Sequence, residues 1–166
     1  WYERQGWETD FLHYGTPAER VAKSIPANRR MLLIHNVKAT KEDIATIEQH
    51  FTNGVYWVLC PESNRFISRT EPPVETLRNA GVKIAIGTDS LASARHLSMV
   101  ENMGLLGDIP LDELLIWATR NGAEALGLES SLGDIRVGTS PGIVVIEGAD
   151  LQNMRVTDQT RSRRII

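Results

Sequence analysis

Met31-Leu32-Leu33-Ile34-His35, Val55-Tyr56-Trp57-Val58-Leu59 and Val82-Lys83-Ile84-Ala85-Ile86-Gly87-Thr88-Asp89 decide the fold of this chain. Each holds a short apolar run that reads as a strand, and Met31 to His35 suits a strand buried on both faces. Between them stand helix signals. Thr40-Lys41-Glu42-Asp43 has the form of a capping box, Ile44, Ile47 and Phe51 follow at helical spacing, and Asn53-Gly54 supplies the stop. Pro72-Pro73 opens another helix through Val74, Leu77 and Arg78, with Gly81 just past its end. The strands begin at 31, 55 and 82, so the repeats are 24 and 27 residues long. That length fits a helical crossover, and crossovers join parallel neighbours. The expected class is α/β with a parallel sheet.

Working outward, Thr16-Pro17-Ala18-Glu19 predicts a helix start, with Thr16 as cap and Pro17 in the first turn, running to about Ser24. Downstream of Asp89, helices are expected around Leu97 to Leu106, from Leu111 to Thr119 behind Pro110, and from Ala123 to Leu126 before Gly127. From Leu132 onward the character changes to Gly133, Gly138 and Pro141-Gly142 turns followed by Ile143-Val144-Val145-Ile146. This predicts a small β appendage over 129–166 beside an α/β part over 1–128. The terminal Arg161-Ser162-Arg163-Arg164 carries no apolar pattern, and nothing is read from it.

Composition narrows the function classes. Of 166 residues, 42% are hydrophobic and 23% charged, with a net charge of −3. That balance gives no electrostatic reason to expect nucleic acid or an anionic membrane as partner. The longest apolar runs are far short of the ~20 residues of a membrane span. The single Cys60 excludes an internal disulfide. With no signal peptide to read, a cytoplasmic protein acting on a small molecule is expected. The chain opens at Trp1 without an initiator methionine, as a processed protein, a cloned segment or a piece of a longer protein would.

In parallel α/β folds the reactive groups gather where the carboxyl ends of the strands and their loops converge. His35 ends the first strand, Cys60-Pro61-Glu62-Ser63-Asn64 forms the expected loop after the second, and Asp89 follows the third. A carboxylate at Asp89 could hold a divalent metal or accept a proton, and could equally cap the next helix. His35 could orient substrate, polarise a water or ligate a metal, or simply bond a backbone group. Ser63, Asn64 and Ser90 offer hydrogen bonds to a substrate, although Pro-x-Ser-Asn is also good turn chemistry. Cys60 reads as buried and inert. His13, His50 and His96 show no ligand spacing. No His-x-His, His-Glu-x-x-His or paired-cysteine zinc pattern occurs, and one Asp with one His does not complete a zinc site.

The ordered set Ile34-His35-Asn36, Cys60-Pro61-Glu62-Ser63-Asn64 and Ile86-Gly87-Thr88-Asp89-Ser90-Leu91-Ala92-Ser93 resembles the amidohydrolase superfamily. The branch is that of the methylthioadenosine/adenosylhomocysteine deaminases, guanine deaminases and triazine chlorohydrolases. Trp117-Ala118-Thr119-Arg120-Asn121-Gly122-Ala123-Glu124-Ala125-Leu126-Gly127 resembles the helix that follows in that branch. Leu132-Gly133-Asp134-Ile135 and Pro141-Gly142-Ile143-Val144-Val145 resemble its return into a flanking β-domain.

The resemblance implies a distorted (β/α)8 TIM barrel, of which this chain would be the C-terminal part, about strands six to eight. It implies a divalent metal, zinc or iron, with Asp89 as metal-binding and proton-shuttling aspartate. It implies His35 as the residue that contacts substrate or the attacking water, and hydrolytic deamination of a purine-like or related heterocycle. The family's other ligands and its fifth-strand histidine with the following Glu have no counterpart here. The chain alone is therefore expected to be inactive and to hold metal weakly. Asn36 departs from the Cys of many relatives. Open strand edges would favour a homo-oligomer. A different class, a flavodoxin-like signalling or binding module with Asp89 as phosphoacceptor, wants an acidic pair after its first strand, and Asn36-Val37-Lys38 offers none.

Overall fold

A computed structural model describes residues 1–8 and 15–165 of the chain. His13 lies outside the described residues. A short 3-10 turn at Glu3–Gln5 precedes α1 (Pro17–Ser24), β1 (Met31–Ile34), α2 (Lys41–His50), β2 (Val55–Leu59) and α3 (Pro61–Ser68). Then come α4 (Val74–Asn79), β3 (Ile84–Ile86), α5 (Met99–Gly104), α6 (Leu111–Ala118), α7 (Arg120–Leu126), β4 (Val144–Glu147) and β5 (Arg161–Arg164).

Local chemistry sets most of these boundaries. At α2 both halves of the capping box form: Thr40 Oγ1 accepts the Asp43 N–H at 3.1 Å and Asp43 Oδ2 accepts the Thr40 N–H at 3.0 Å. Thr16 caps α1 by accepting the Glu19 N–H at 3.2 Å. α7 ends at Gly127, whose φ of 72° is left-handed and costs a glycine nothing.

The strands lie in the order β1-β2-β3, all parallel, with Met31 opposite Val55, Leu33 opposite Trp57, Trp57 opposite Ile84 and Leu59 opposite Ile86. Side chains alternate between faces along a strand, so this register puts Met31, Leu33, Val55, Trp57, Leu59, Ile84 and Ile86 on one face. That face is the core. It packs with Ile44, Ile47 and Phe51 near α2, Leu77 of α4, Val100 and Met103 of α5, and Leu111, Leu114 and Trp117 of α6. On the opposite face Leu32 and Ile34 remain 37% and 52% exposed. The sheet is thus wound in sequence order, with its helical core on one side. A doubly wound flavodoxin-like sheet, by contrast, reverses its strand order and carries helices on both faces.

Three expectations change on this framework. β1 is not buried on both faces: Leu32 and Ile34 are exposed, whereas Tyr56 and Ala85, on the same face further across the sheet, are buried. Cys60 to Asn64 is not a loop. Pro61 takes the first helical position with Glu62 in the first turn, and α3 begins there, burying Pro61, Ser63 and Asn64. The arginine-rich ending is a strand: β5 pairs antiparallel with β4, Val144 opposite Arg164 and Glu147 opposite Arg161. All four β5 residues are exposed, so backbone pairing makes that strand and no apolar pattern announces it.

The β4–β5 hairpin leans on the helical layer through Ile146 and Val156, and the Leu111 N–H donates to Met154 O at 2.8 Å. Among the described residues no helix is long and apolar enough to cross a membrane.

Candidate active site

The carboxyl ends of β1, β2 and β3 meet at one rim. His35 follows β1 directly and its N–H donates to Val58 O at 3.0 Å, which keeps it beside β2. Cys60 leads from β2 into α3, whose buried first turn presents Ser63 and Asn64. Gly87 closes β3 by donating to Leu59 O at 2.8 Å, and Asp89 follows two residues later. A Cβ at Gly87 would sit 3.2 Å from Cys60 Sγ and 3.3 Å from Val58 Cγ1, so a larger residue here would make those side chains give by a few tenths of an ångström.

Asp89 is the hub. Its Oδ2 accepts the Ser63 hydroxyl at 2.6 Å and the Ser93 hydroxyl at 2.8 Å, and lies 3.9 Å from His35 Nε2. These two hydroxyl bonds, with a smaller contribution from the nearby imidazole, hold the carboxyl below its ordinary value. Asp89 is therefore ionised across the neutral range. Its side chain is 31% exposed, so the charge is fixed in place without being shut away.

The imidazole is oriented from behind. His35 Nδ1–H donates to Asn64 Oδ1 at 2.8 Å, which leaves Nε2 turned toward Asp89. Asn64 is only 2% exposed, a rigid acceptor on a buried helical turn. Its amide Nδ2, like that of Asn36, is buried without a hydrogen-bond partner in the structure. Buried donors without partners cost about 1–3 kcal/mol each, so two at one rim mark a place not optimised for stability alone.

Backbone strain falls in the same place. His35, Asn36 and Asp89 have φ values of 72°, 47° and 60°. Such left-handed conformations cost a non-glycine residue roughly 1–2 kcal/mol. Three of the five described non-glycine residues with positive φ are therefore at the ends of β1 and β3.

The remaining candidates separate cleanly. Ser90 is exposed on the same rim, where its hydroxyl accepts the Ala92 N–H at 3.3 Å and its carbonyl accepts the Ser93 and Ala94 N–H groups. Cys60 is buried, and burial with the Asp89 charge nearby pushes its thiol up to about 11, so it is no thiolate nucleophile. His50 bonds the Ile25 carbonyl at 2.9 Å, far in role from the rim. Ser93 was not singled out in sequence. Its spacing of four from Asp89 across Ser90 was the available signal, because one helical turn returns a side chain to the same side.

Among the described residues no three His, Cys, Asp or Glu side chains gather closely enough to hold a metal ion. Asp89 alone is suitably charged and accessible at the rim, and a zinc site needs three or four ligands. These residues supply one corner of such a site and do not build it.

Residues 4–166 match the model of the amidohydrolase family. A 5-methylthioadenosine/S-adenosylhomocysteine deaminase of Moorella thermoacetica is 34% identical over 146 residues, covering 81% of this chain and 33% of the deaminase. The crystal structure of an adenosine deaminase from Xanthomonas campestris with bound zinc superposes with a TM-score of 0.71 at 29% identity, over 87% of this chain and 35% of the other. An atrazine chlorohydrolase from Arthrobacter aurescens TC1, complexed with zinc, has a TM-score of 0.73 over 92% of this chain and 37% of its own, and at 23% identity this is a likeness of fold. The chain spans about a third of the length of these relatives.

Proposed function

From a chain that belongs to the amidohydrolase family, we propose a metal-dependent hydrolase that deaminates a purine-like or related heterocycle, with Asp89 and His35 at its reacting centre. In this reading 1–128 is the C-terminal part of a (β/α)8 barrel, about strands six to eight, and 129–166 belongs to a flanking β-domain. The sequential parallel order with a one-sided helical core supports the barrel. The observation that carries the chemistry is the Asp89 carboxylate, bonded by Ser63 and Ser93 and facing His35 Nε2 at the strand ends.

The residues have separable tasks. Ser63 and Ser93 fix the rotamer of Asp89 and keep it charged, so it can ligate a cation and take a proton from an attacking water. His35, held through Nδ1 by Asn64, turns Nε2 toward that oxygen and steadies it. Ser90, exposed on the same rim, would meet the polar edge of a substrate, and Asn64, buried behind His35, would contribute through the imidazole that it orients. Proton transfer to the leaving amine returns Asp89 to its starting state. A bound zinc or iron would supply the acidity that an ionised carboxylate alone cannot, by lowering the pKa of water to about 7. Asp89 is the residue here that would hold it, and its other ligands lie outside the described residues. The 166-residue chain by itself is then inactive. Open edges of β1 and β3 favour association of copies.

Ammonia release tests the reading. Full-length, zinc-loaded protein is expected to liberate ammonia from 5′-methylthioadenosine, adenosine or guanine. Failure with every aminated purine and every aminated triazine or pyrimidine, in protein shown to contain zinc, would remove the assignment.

A further inference from the structure

Asp89 is held by Ser63 from α3 and by Ser93 from the segment that leaves β3, and the second of these needs its own support. Residues 90–98 are mostly exposed and cross from β3 to α5 without regular structure. One side chain ties that crossing to α3. Glu62 Oε1 accepts the Arg95 N–H at 2.8 Å, two residues beyond Ser93. The Glu62 N–H donates to Asn102 Oδ1 at 3.2 Å, and Asn102 Nδ2 donates to Ser98 O at 3.1 Å. Asn102 is fully buried. The first turn of α3, the middle of the crossing and the start of α5 therefore meet at Glu62 and Asn102.

The other oxygen, Glu62 Oε2, is buried with no hydrogen-bond partner in the structure. A stranded carboxylate oxygen is unfavourable. An apolar side chain would fill the same space without that cost, so the bond made by Oε1 is what a carboxylate contributes here. Glu62 directly precedes Ser63, so one turn of helix delivers one hydroxyl to Asp89 itself and fixes the segment that delivers the other.

We propose that Glu62 is a positioning residue for Asp89: by accepting the Arg95 N–H it clamps the 90–98 crossing to α3 and keeps the Ser93 hydroxyl on the Asp89 carboxylate. This rests on the hydrolytic role of Asp89 proposed above. Glu62 acts through Ser93 and touches no reacting atom. Losing the clamp displaces a hydrogen bond to the reacting carboxylate, and misplacements of about 1 Å are known to cost on the order of 100-fold in rate.

The test uses full-length, zinc-loaded protein with 5′-methylthioadenosine as substrate, and compares Glu62→Ala, Glu62→Asp, Glu62→Gln, Ser93→Ala and the Glu62→Ala/Ser93→Ala pair. Glu62→Ala and the shorter Glu62→Asp are expected to lower kcat roughly tenfold with KM within about twofold, a tenth of the loss quoted above because Ser63 remains. Glu62→Gln, which keeps an acceptor at the right reach, should restore kcat to within about twofold, and the double variant should be no slower than Ser93→Ala. Amide hydrogen exchange at Arg95, read on the same proteins, should quicken in Glu62→Ala and Glu62→Asp and not in Glu62→Gln. Unchanged kcat in Glu62→Ala or Glu62→Asp, while Asp89→Asn is inactive, would overturn the clamp and leave the deaminase reading intact. Additive losses in the double variant would overturn it too. Turnover that survives Asp89→Asn would instead sink the underlying reading, and unchanged exchange at Arg95 would then reject the clamp on its own terms.

Discussion

Replacing Ser63 by alanine should weaken the fold in a way that depends on the charge of Asp89. Ser63 is fully buried and its hydroxyl donates to Asp89 Oδ2 at 2.6 Å, a bond to an ionised acceptor. Such bonds contribute about 1.5–3 kcal/mol, roughly twice a neutral one. Two facts select the lower end. Asp89 is 31% exposed, so water can re-solvate it, and Ser93 still donates to the same oxygen. The expected cost at pH 7 is therefore about 1.5 kcal/mol, or a fall in Tm of roughly 3–6 °C for a chain of this size. The pH dependence follows from the low carboxyl pKa. Asp89 titrates below its ordinary 3.8 in the folded chain, so this stabilisation is fully present above 3.8 and is lost as pH falls through the lower folded value. Once the carboxyl is protonated the bond becomes a neutral one, and the cost of Ser63→Ala should shrink to about 0.7 kcal/mol. Urea unfolding of the 166-residue chain from pH 7 down to pH 2.5, with and without Asp89→Asn, measures this. A Ser63→Ala penalty that stays constant across the range, or is equally large in the Asp89→Asn background, would refute the reasoning.

Two further outcomes follow from the same structure. Cys60, buried and with its thiol pushed up to about 11, should resist iodoacetamide at pH 8 in the native chain and react readily in urea, and fast native labelling would contradict its placement. Because no three His, Cys, Asp or Glu side chains gather among the described residues, the 166-residue chain should lose added zinc on dialysis. Stoichiometric zinc retained against a weak chelator would contradict the incomplete site.

The sheet was legible because its signals are local. Three apolar runs at crossover spacing and the Thr40–Asp43 capping box each specify their own element, and the structure places them there. His35 and Asp89 were legible as strand-end polar groups, since the parallel arrangement itself brings those ends together. What stayed hidden was non-local. Pro61-Glu62-Ser63-Asn64 suits a turn as well as a helix start, and only the burial of Ser63 and Asn64 beneath the rim decides for the helix. The pairing of Arg161–Arg164 with Val144–Glu147 rests on backbone bonds between exposed strands, which leave no hydrophobic period to read. The exposed side of β1 depends on which face the helices choose, and Leu32 and Ile34 are as apolar as their buried neighbours. Glu62 and Ser93 gained meaning only once their partners Arg95 and Asp89 had coordinates.

Metal content and turnover measured together on full-length Asp89→Asn bear most directly on the reading of the rim as a hydrolytic centre. The neutral amide keeps the shape and the serine contacts but removes the charge, so turnover should be abolished and zinc held more weakly than in the unaltered protein. Full turnover with zinc undiminished would mean that the chemistry takes place without this carboxylate.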